Sequence, residues 1–349
     1  MRADRWEHGS DYAYPDLDGA AAGRWCPEQP SYWHSGRDAL RALVLARAPR
    51  RILFPAYYCQ DVLAVAEDAA VEVHLHDDTP IGLRRGDLVV VANTFGLGRP
   101  SLRAPLGDDV LLVEDHSHDP FSRWAQTSGA DYAFASLRKW LPLPDGGILW
   151  SPRRAPAVEP PPFESGRNAL AAAITLDRLS GMLLKTSYLA GGPVPKDAFR
   201  ARALAGESAI GHGEASAMSP VARALLDLLP VDAWRVVRAE NHAAFVAALG
   251  PVDDLVVKSD RLETPAVPFA VILETRTTAQ REHLRAELVA RAIYPAVLWP
   301  LDPDRAPGMT EGALDRASRS LCIHCDHRYT AADMARVAAA VRESCARWR

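Results

Sequence analysis

The chain has 349 residues, 48% of them hydrophobic and 24% charged, with a formal net charge of −4 at pH 7. That balance belongs to a globular chain with a large core, long enough for two domains or one large domain with a smaller appendage. An acidic balance with no dense basic stripe argues against nucleic acid, and no apolar run approaches the ~18 residues that span a bilayer, so small-molecule chemistry is expected.

The N-terminus, MRADRWEHGSDYAYPDLDG, is polar and lacks the apolar centre of a secretory signal, so a cytoplasmic location is expected. Residues 1–30, rich in Gly, Pro and Asp, read as a surface segment. In SGRDALRALVLARA, from Ser35 to about Ala48, Leu40, Leu43 and Leu45 predict an amphipathic helix with Ser35 as N-cap. RRILFPAYY follows as a short strand ending at Pro55, then a helix, CQDVLAVAEDAA. VEVHLHD, DLVVVANTFG, DVLLVEDHSHD, ADYAFASL and GGILWS read as further strands. Short apolar strands alternating with helices predict an α/β fold, a mostly parallel sheet with helices on both faces. After the Pro-rich SPRRAPAVEPPPFE, long helical stretches follow, and the remainder reads as a small α+β unit. The expected organisation is a surface segment over 1–30, a large α/β domain over 31–228 and a small domain over 229–349.

The five cysteines are an odd number in a long chain and do not form a disulfide framework. Cys322 and Cys325 make a C-x-x-C beside His324 and His327, but no second ligand pair stands at zinc spacing. Buried small hydrophobes are the expected role, and no metal is expected.

In open α/β sheets ligands bind beyond the carboxyl ends of the strands. Tyr57, Asn93, Asp115 and Ser136 all stand at or just past a strand end, and Lys139 follows in SLRKWLPLPDGG. A lysine in such an apolar stretch becomes useful when its neutral amine forms an imine with an aldehyde, most commonly pyridoxal 5'-phosphate (PLP). That cofactor needs a carboxylate at its ring nitrogen, a phosphate cradle at a helix N-terminus, an apolar or aromatic face and a polar group at the ring hydroxyl. Asp115 is the candidate carboxylate. Ser35, Gly36 and the amide of Arg37 open the first helix and can take the phosphate, with the Ser136 hydroxyl closing the cradle. Tyr57 and Tyr58 are placed to lie against the ring, and His118 to meet its hydroxyl.

These segments resemble those of the DegT/StrS family of fold-type-I PLP-dependent sugar aminotransferases. HSGRDAL is similar to the family's phosphate-receiving helix start, FPAYYC to its ring-stacking strand end, and VVANTFG to its strand ending in an aromatic-Gly pair. VEDHSHD resembles the Glu-Asp-x-x-Gln segment, SLRKW the cofactor-lysine segment, and LCIHCDHRYTAADMARVAAAV the C-terminal strand, His and final helix. The resemblance implies a seven-stranded-type central sheet and a homodimer with sites at the interface. It also implies transamination between an amino donor and a small-molecule carbonyl substrate, with Lys139 holding the cofactor and moving the proton. His118 stands where the family has Gln, Ser136 where His is frequent, and the stacking position falls on Tyr57, Tyr58 or Cys59. The segment GHGEASAMS lacks the Asn and Arg that the family often sends across the dimer interface. A small or carrier-bound carbonyl or amine compound is therefore the expected substrate. Alternatives are a nucleotide-sugar, another PLP reaction on the same scaffold (elimination, racemisation or carbon–carbon bond formation) and a non-catalytic PLP-binding regulator.

Overall fold

A computed structural model describes residues 5–17, 25–77, 80–98, 107, 109–164, 168–258, 267–306 and 308–348. The first half of the chain runs β1 (His8–Gly9), β2 (Ser31–Trp33), α1 (Gly36–Arg47), β3 (Arg51–Pro55), α2 (Gln60–Asp68), β4 (Glu72–His76), β5 (Asp87–Ala92) and β6 (Leu111–Asp115). Next come α3 (Arg123–Gln126), β7 (Tyr132–Ser136), β8 (Gly147–Trp150), α4 (Ala169–Leu189), α5 (Lys196–Ala209), α6 (Pro220–Leu228) and α7 (Val231–Leu249). The last part holds β9 (Leu255–Lys258), β10 (Val271–Thr275), α8 (Thr278–Ala290), β11 (Ile293–Tyr294), α9 (Glu311–Arg319), β12 (Ser320–Ile323) and α10 (Ala331–Cys345).

A seven-stranded sheet carries the site, in the order β2-β8-β7-β6-β5-β3-β4. The five strands from β4 to β7 are parallel, β8 turns antiparallel to β7, and β2 is antiparallel to β8. All of β7 and all but the last residue of β5 are buried, as expected of strands covered on both faces. The register pairs Ala92 with Asp115 and Asp115 with Phe134, so the carboxyl ends of β5, β6 and β7 finish almost level.

Helix α1 begins where its sequence predicts. Ser35 is the N-cap, its hydroxyl oxygen accepting the Asp38 N–H at 3.1 Å. Leu40, Leu43 and Val44 are buried, but Leu45, expected on the same face, is exposed. One residue past Val44 rotates the side chain about 100° away from the core. The helix rests on β8 through Gly147, where an added Cβ would stand 2.3 Å from the Ser35 carbonyl carbon and oxygen. Gly147→Ala should therefore force α1 off the sheet. The expected loss is about 1–3 kcal/mol of stability, read as a lower denaturant midpoint with unchanged slope.

A second core is built by the antiparallel sheet β12-β10-β9 with α7, α8 and α10, around Leu273, Leu284, Val337 and Val341. The N-terminal segment does more than wrap the surface. β1 pairs in parallel with β11, His8 is fully buried, and the Gly9 N–H donates to the Tyr329 hydroxyl at 2.7 Å. Helix α5 has no counterpart in the predicted elements. Its buried residues are Phe199, Ala203 and Gly206, a stripe too small to stand out as apolar periodicity. AVLWPL forms no strand beyond a single bridge from Ala296 to Cys322. Among the described residues no helix is long and apolar enough to cross a membrane.

Candidate active site

The level strand ends gather most of the residues singled out in the sequence. Asp115 closes β6, buried, with Oδ1 accepting the Ser117 N–H at 2.8 Å and Oδ2 accepting the Tyr58 hydroxyl. Burial and the Asp115 charge push the Tyr58 phenol well above its ordinary range, so Tyr58 stays a donor. Ser117 Oγ accepts the Ser136 N–H at 2.8 Å and ties the end of β6 to that of β7. Tyr58 thus reaches the carboxylate with its hydroxyl while its ring stacks on Phe54 at 5.8 Å. Tyr57 packs edge-on to Trp299 at 4.9 Å, and Cys59 precedes α2 as its N-cap residue.

Lys139 ends a single 3-10 turn, Leu137–Lys139, directly after β7. Its Nζ lies 5.9 Å from the centre of the Trp299 ring. His118 stacks on the same tryptophan at 5.3 Å and on Phe269 at 4.5 Å. Its Nδ1 accepts the Phe95 N–H at 2.9 Å, which leaves the ring proton on Nε2. Burial first, and then the Lys139 charge, hold the imidazole well below its ordinary range, so it is neutral. Phe95 adopts φ 62°, a left-handed conformation rare for its type, and its carbonyl accepts the Phe269 N–H at 2.9 Å.

The third group is the start of α1. Gly36 faces Ser136 so closely that a Cβ there would stand 3.2 Å from Ser136 Cβ and N. A side chain at 36 would press the α1 N-terminus away from the β7 end. The Ser35 hydroxyl also donates to Asp38 Oδ2 at 2.9 Å, so it is engaged inside its own helix turn. The Arg37 side chain lies along Gly211 (φ +76°), where a Cβ would come within 2.7 Å of its Nε.

The closing Pro-Asp-Gly-Gly of the lysine segment has a local explanation. Asp145 is fully buried and accepts from Ser219 Oγ at 2.6 Å and Thr175 Oγ1 at 2.8 Å. Gly146 takes φ +138°, and Gly147 admits α1. The segment GHGEASAMS runs beside β2 in the same chain, with Met218 N–H donating to the Tyr32 carbonyl at 3.1 Å. Asn93 serves the loop after β5, its Oδ1 accepting the Gly98 N–H at 3.2 Å.

Three residues of the site escaped the sequence patterns. Trp299 stands alone in AVLWPL, and a tryptophan before a proline in an otherwise unpatterned stretch is its only trace. Ser117 is hidden by its neighbours in the acidic segment. The Tyr12 hydroxyl donates to the Trp140 carbonyl at 3.1 Å, fastening the N-terminal segment beside Lys139. Cys322 and Cys325 are buried, and burial pushes the Cys325 thiol up to about 12. Among the described residues no three His, Cys, Asp or Glu side chains gather as a metal site.

No family model and no curated protein matches the chain. Solved structures do match, and they define its class of fold. A putative sugar aminotransferase, Spr1654 from Streptococcus pneumoniae in its PLP-form, superposes with a TM-score of 0.61 at 10% identity, over 92% of this chain and 88% of that one. The aminotransferase TlmJ from Streptoalloteichus hindustanus gives 0.58 at 14% identity, over 92% and 87%. DesI, solved in the presence of its TDP-sugar product, gives 0.58 at 17% identity, over 95% and 83%. The chain has the α/β fold of these proteins, with their mainly parallel central sheet.

Proposed function

We propose that this protein is a PLP-dependent aminotransferase of the DegT/StrS type, a cytoplasmic homodimer that moves an amino group between a donor and a sugar-like carbonyl compound. The observation that carries the proposal is the convergence of Asp115, the Gly36–Ser136 contact and Lys139 on the level ends of β6 and β7. This donor set fits the cofactor. A buried carboxylate with two hydrogen-bond donors suits a pyridinium nitrogen, and the close approach of the α1 start to the β7 end at Gly36 suits a phosphate held by helix amides and the Ser136 hydroxyl.

When bound, PLP supplies an electron sink that eases proton removal from the amine-bearing carbon. Asp115 holds the proton on the ring nitrogen. Lys139 Nζ would hold the cofactor's aldehyde and, as a free amine, would serve as the base that moves the proton at the amine-bearing carbon. His118 offers its Nε2–H to the ring hydroxyl. The amides of Gly36 and Arg37 and the Ser136 hydroxyl hold the phosphate, and Trp299 walls the site and excludes water. Exposed Leu176 and Leu183 on α4 and Leu204 on α5 supply apolar surface suited to a second subunit.

The expectation of a non-nucleotide substrate rests on the Asn and Arg missing from GHGEASAMS. Arginines gathered elsewhere support the nucleotide-sugar reading at least as well: Arg138 and Arg178 share Glu207, with Arg37 close by. Arg167, a further candidate for such charge, lies outside the described residues. The test is conversion of bound PLP to its amine form by a panel of amino donors, followed by amino transfer to nucleotide-linked keto-sugars and to small keto compounds. Donor-dependent conversion is expected. A bound cofactor that no donor converts removes transamination in favour of another PLP reaction or a regulatory role.

A further inference from the structure

Lys139 and His118 stand on separate segments, and one buried side chain touches the supports of both. Arg238 of α7 is 2% exposed, and its guanidinium lies over the Trp140 ring at 4.3 Å. Its Nη1 donates to the Phe269 carbonyl. Trp140 is the residue after Lys139. Its N–H and that of Leu141 both donate to the Leu137 carbonyl, at 3.0 Å and 2.9 Å, and close the turn that ends at Lys139. Phe121 packs edge-on against the same indole at 5.5 Å. The Tyr12 hydroxyl, beside Arg238, donates to the Trp140 carbonyl at 3.1 Å, so the Trp140 backbone is held as well as its ring.

Phe269 leads to His118. Its ring stacks on the imidazole at 4.5 Å, and its N–H donates to the Phe95 carbonyl at 2.9 Å. The Phe95 N–H in turn donates to His118 Nδ1 at 2.9 Å. His118 is thus fixed through the ring of Phe269 and, by way of Phe95, through its N–H. Arg238 holds the carbonyl of that same Phe269.

An arginine is an expensive choice for this place. The carboxylates that feel its charge are bonded to other arginines, Asp119 to Arg235 and Asp326 to Arg328 at 2.7 Å. Burial pulls the Arg238 pKa down, but Tyr12 and Asp326 raise it by more, so the guanidinium keeps its charge. A buried cation without a bonded carboxylate costs stability, and an apolar side chain of like size commonly does as well or better. Packing alone therefore gives no reason for an arginine here. Geometry does: a guanidinium lies flat on an indole while an in-plane N–H reaches a carbonyl, which no apolar group can do.

We infer that Arg238 is a positioning residue that fixes the Lys139 turn and the His118 imidazole in one geometry, acting through Trp140 and Phe269. The inference rests on the proposed transamination for its place in the reaction. There the amine that moves the proton and the imidazole that meets the ring hydroxyl face one cofactor. A displacement of about 1 Å at such a centre can cost about a hundredfold in rate.

Two variants test this role. Arg238→Met keeps the length but removes the plane, the charge and the donors, and Arg238→Lys keeps the charge without the plane. Each is compared with the parent by melting temperature, by visible circular dichroism of the bound cofactor and by single-turnover kinetics of the donor half-reaction. In the cofactor-free protein, acetic anhydride labelling of Lys139, which is half-buried, and of Lys196 is followed by peptide mapping. In both variants the maximal half-reaction rate should fall about tenfold to a hundredfold with the apparent donor affinity nearly unchanged. The dichroism should weaken, and Lys139 should label faster while Lys196 labels as in the parent. Variants that match the parent in rate, dichroism and Lys139 labelling overturn the inference. So does labelling of Lys139 and Lys196 that rises together as the melting temperature falls, since Arg238 would then hold only the fold. If Arg238→Met does not fold, Arg238→Lys, which leaves the buried charge in place, decides by the same readings. A parent that captures no PLP, with Lys139 alone labelling faster in the variants, keeps the positioning role and sinks the PLP proposal instead.

Discussion

Replacing Lys139 by alanine should abolish covalent capture of PLP and lower amino transfer by about a thousandfold or more, the joint loss of a nucleophile and a proton carrier. The expectation follows from the place of Lys139, which ends the 3-10 turn after β7 with its Nζ facing Trp299 and its charge felt by His118. Half-buried lysines elsewhere among the described residues are tied to carboxylates; Lys196, for example, pairs with Glu7 at 2.6 Å. Borohydride treatment and peptide mapping provide the check. In the parent protein reduction should fix the cofactor to Lys139, and in Lys139→Ala and Lys139→Arg to no residue. The arginine variant keeps a positive charge beside Trp299 but cannot form the carbon–nitrogen bond, so it separates attachment from electrostatics. Labelling of another lysine in the parent would remove Lys139 from its role.

Asp115→Asn should leave the cofactor bound and slow the donor half-reaction by roughly two to three powers of ten, the scale of losing one well-placed charge at a reacting centre. The amide keeps the shape of the carboxylate, its oxygen can still accept the Ser117 N–H, and its NH2 can donate to the Tyr58 oxygen, which now accepts. What it loses is the negative charge that keeps a proton on the ring nitrogen. Rapid-mixing absorbance of the half-reaction measures the effect directly, with the melting temperature as a control for folding. A variant that reacts at the parent rate would mean that Asp115 only braces the ends of β6 and β7.

Much of this framework was legible before any coordinates. The alternation of short apolar strands with helices predicts the sheet, and Ser35-Gly36 before an amphipathic run predicts the start of α1. The spacing from Ser136 through Lys139 to Asp145, Gly146 and Gly147 marks a turn that can present a lysine beyond a strand. Such signals are local, because helix caps, strand lengths and glycine turns are set by residues a few positions apart.

The remaining features depend on partners far apart in the chain. Tyr58 looks like one of two interchangeable aromatics until the chain after β3 reaches past β5 to the end of β6 and its hydroxyl meets Asp115, 57 positions on. Trp299 belongs to no periodic pattern and becomes the wall beside Lys139 only when the segment after β11 folds over the cleft. Arg138 and Arg178 are ordinary surface-type residues in the sequence, and only the packing of α5 on α4 brings Glu207 to both. The sequence by itself determined which residues can bond, titrate or leave room for a phosphate, since those are properties of side chains and short turns. The tertiary structure alone decided which of them share a site, because burial and charge pairing depend on distances that no local pattern encodes.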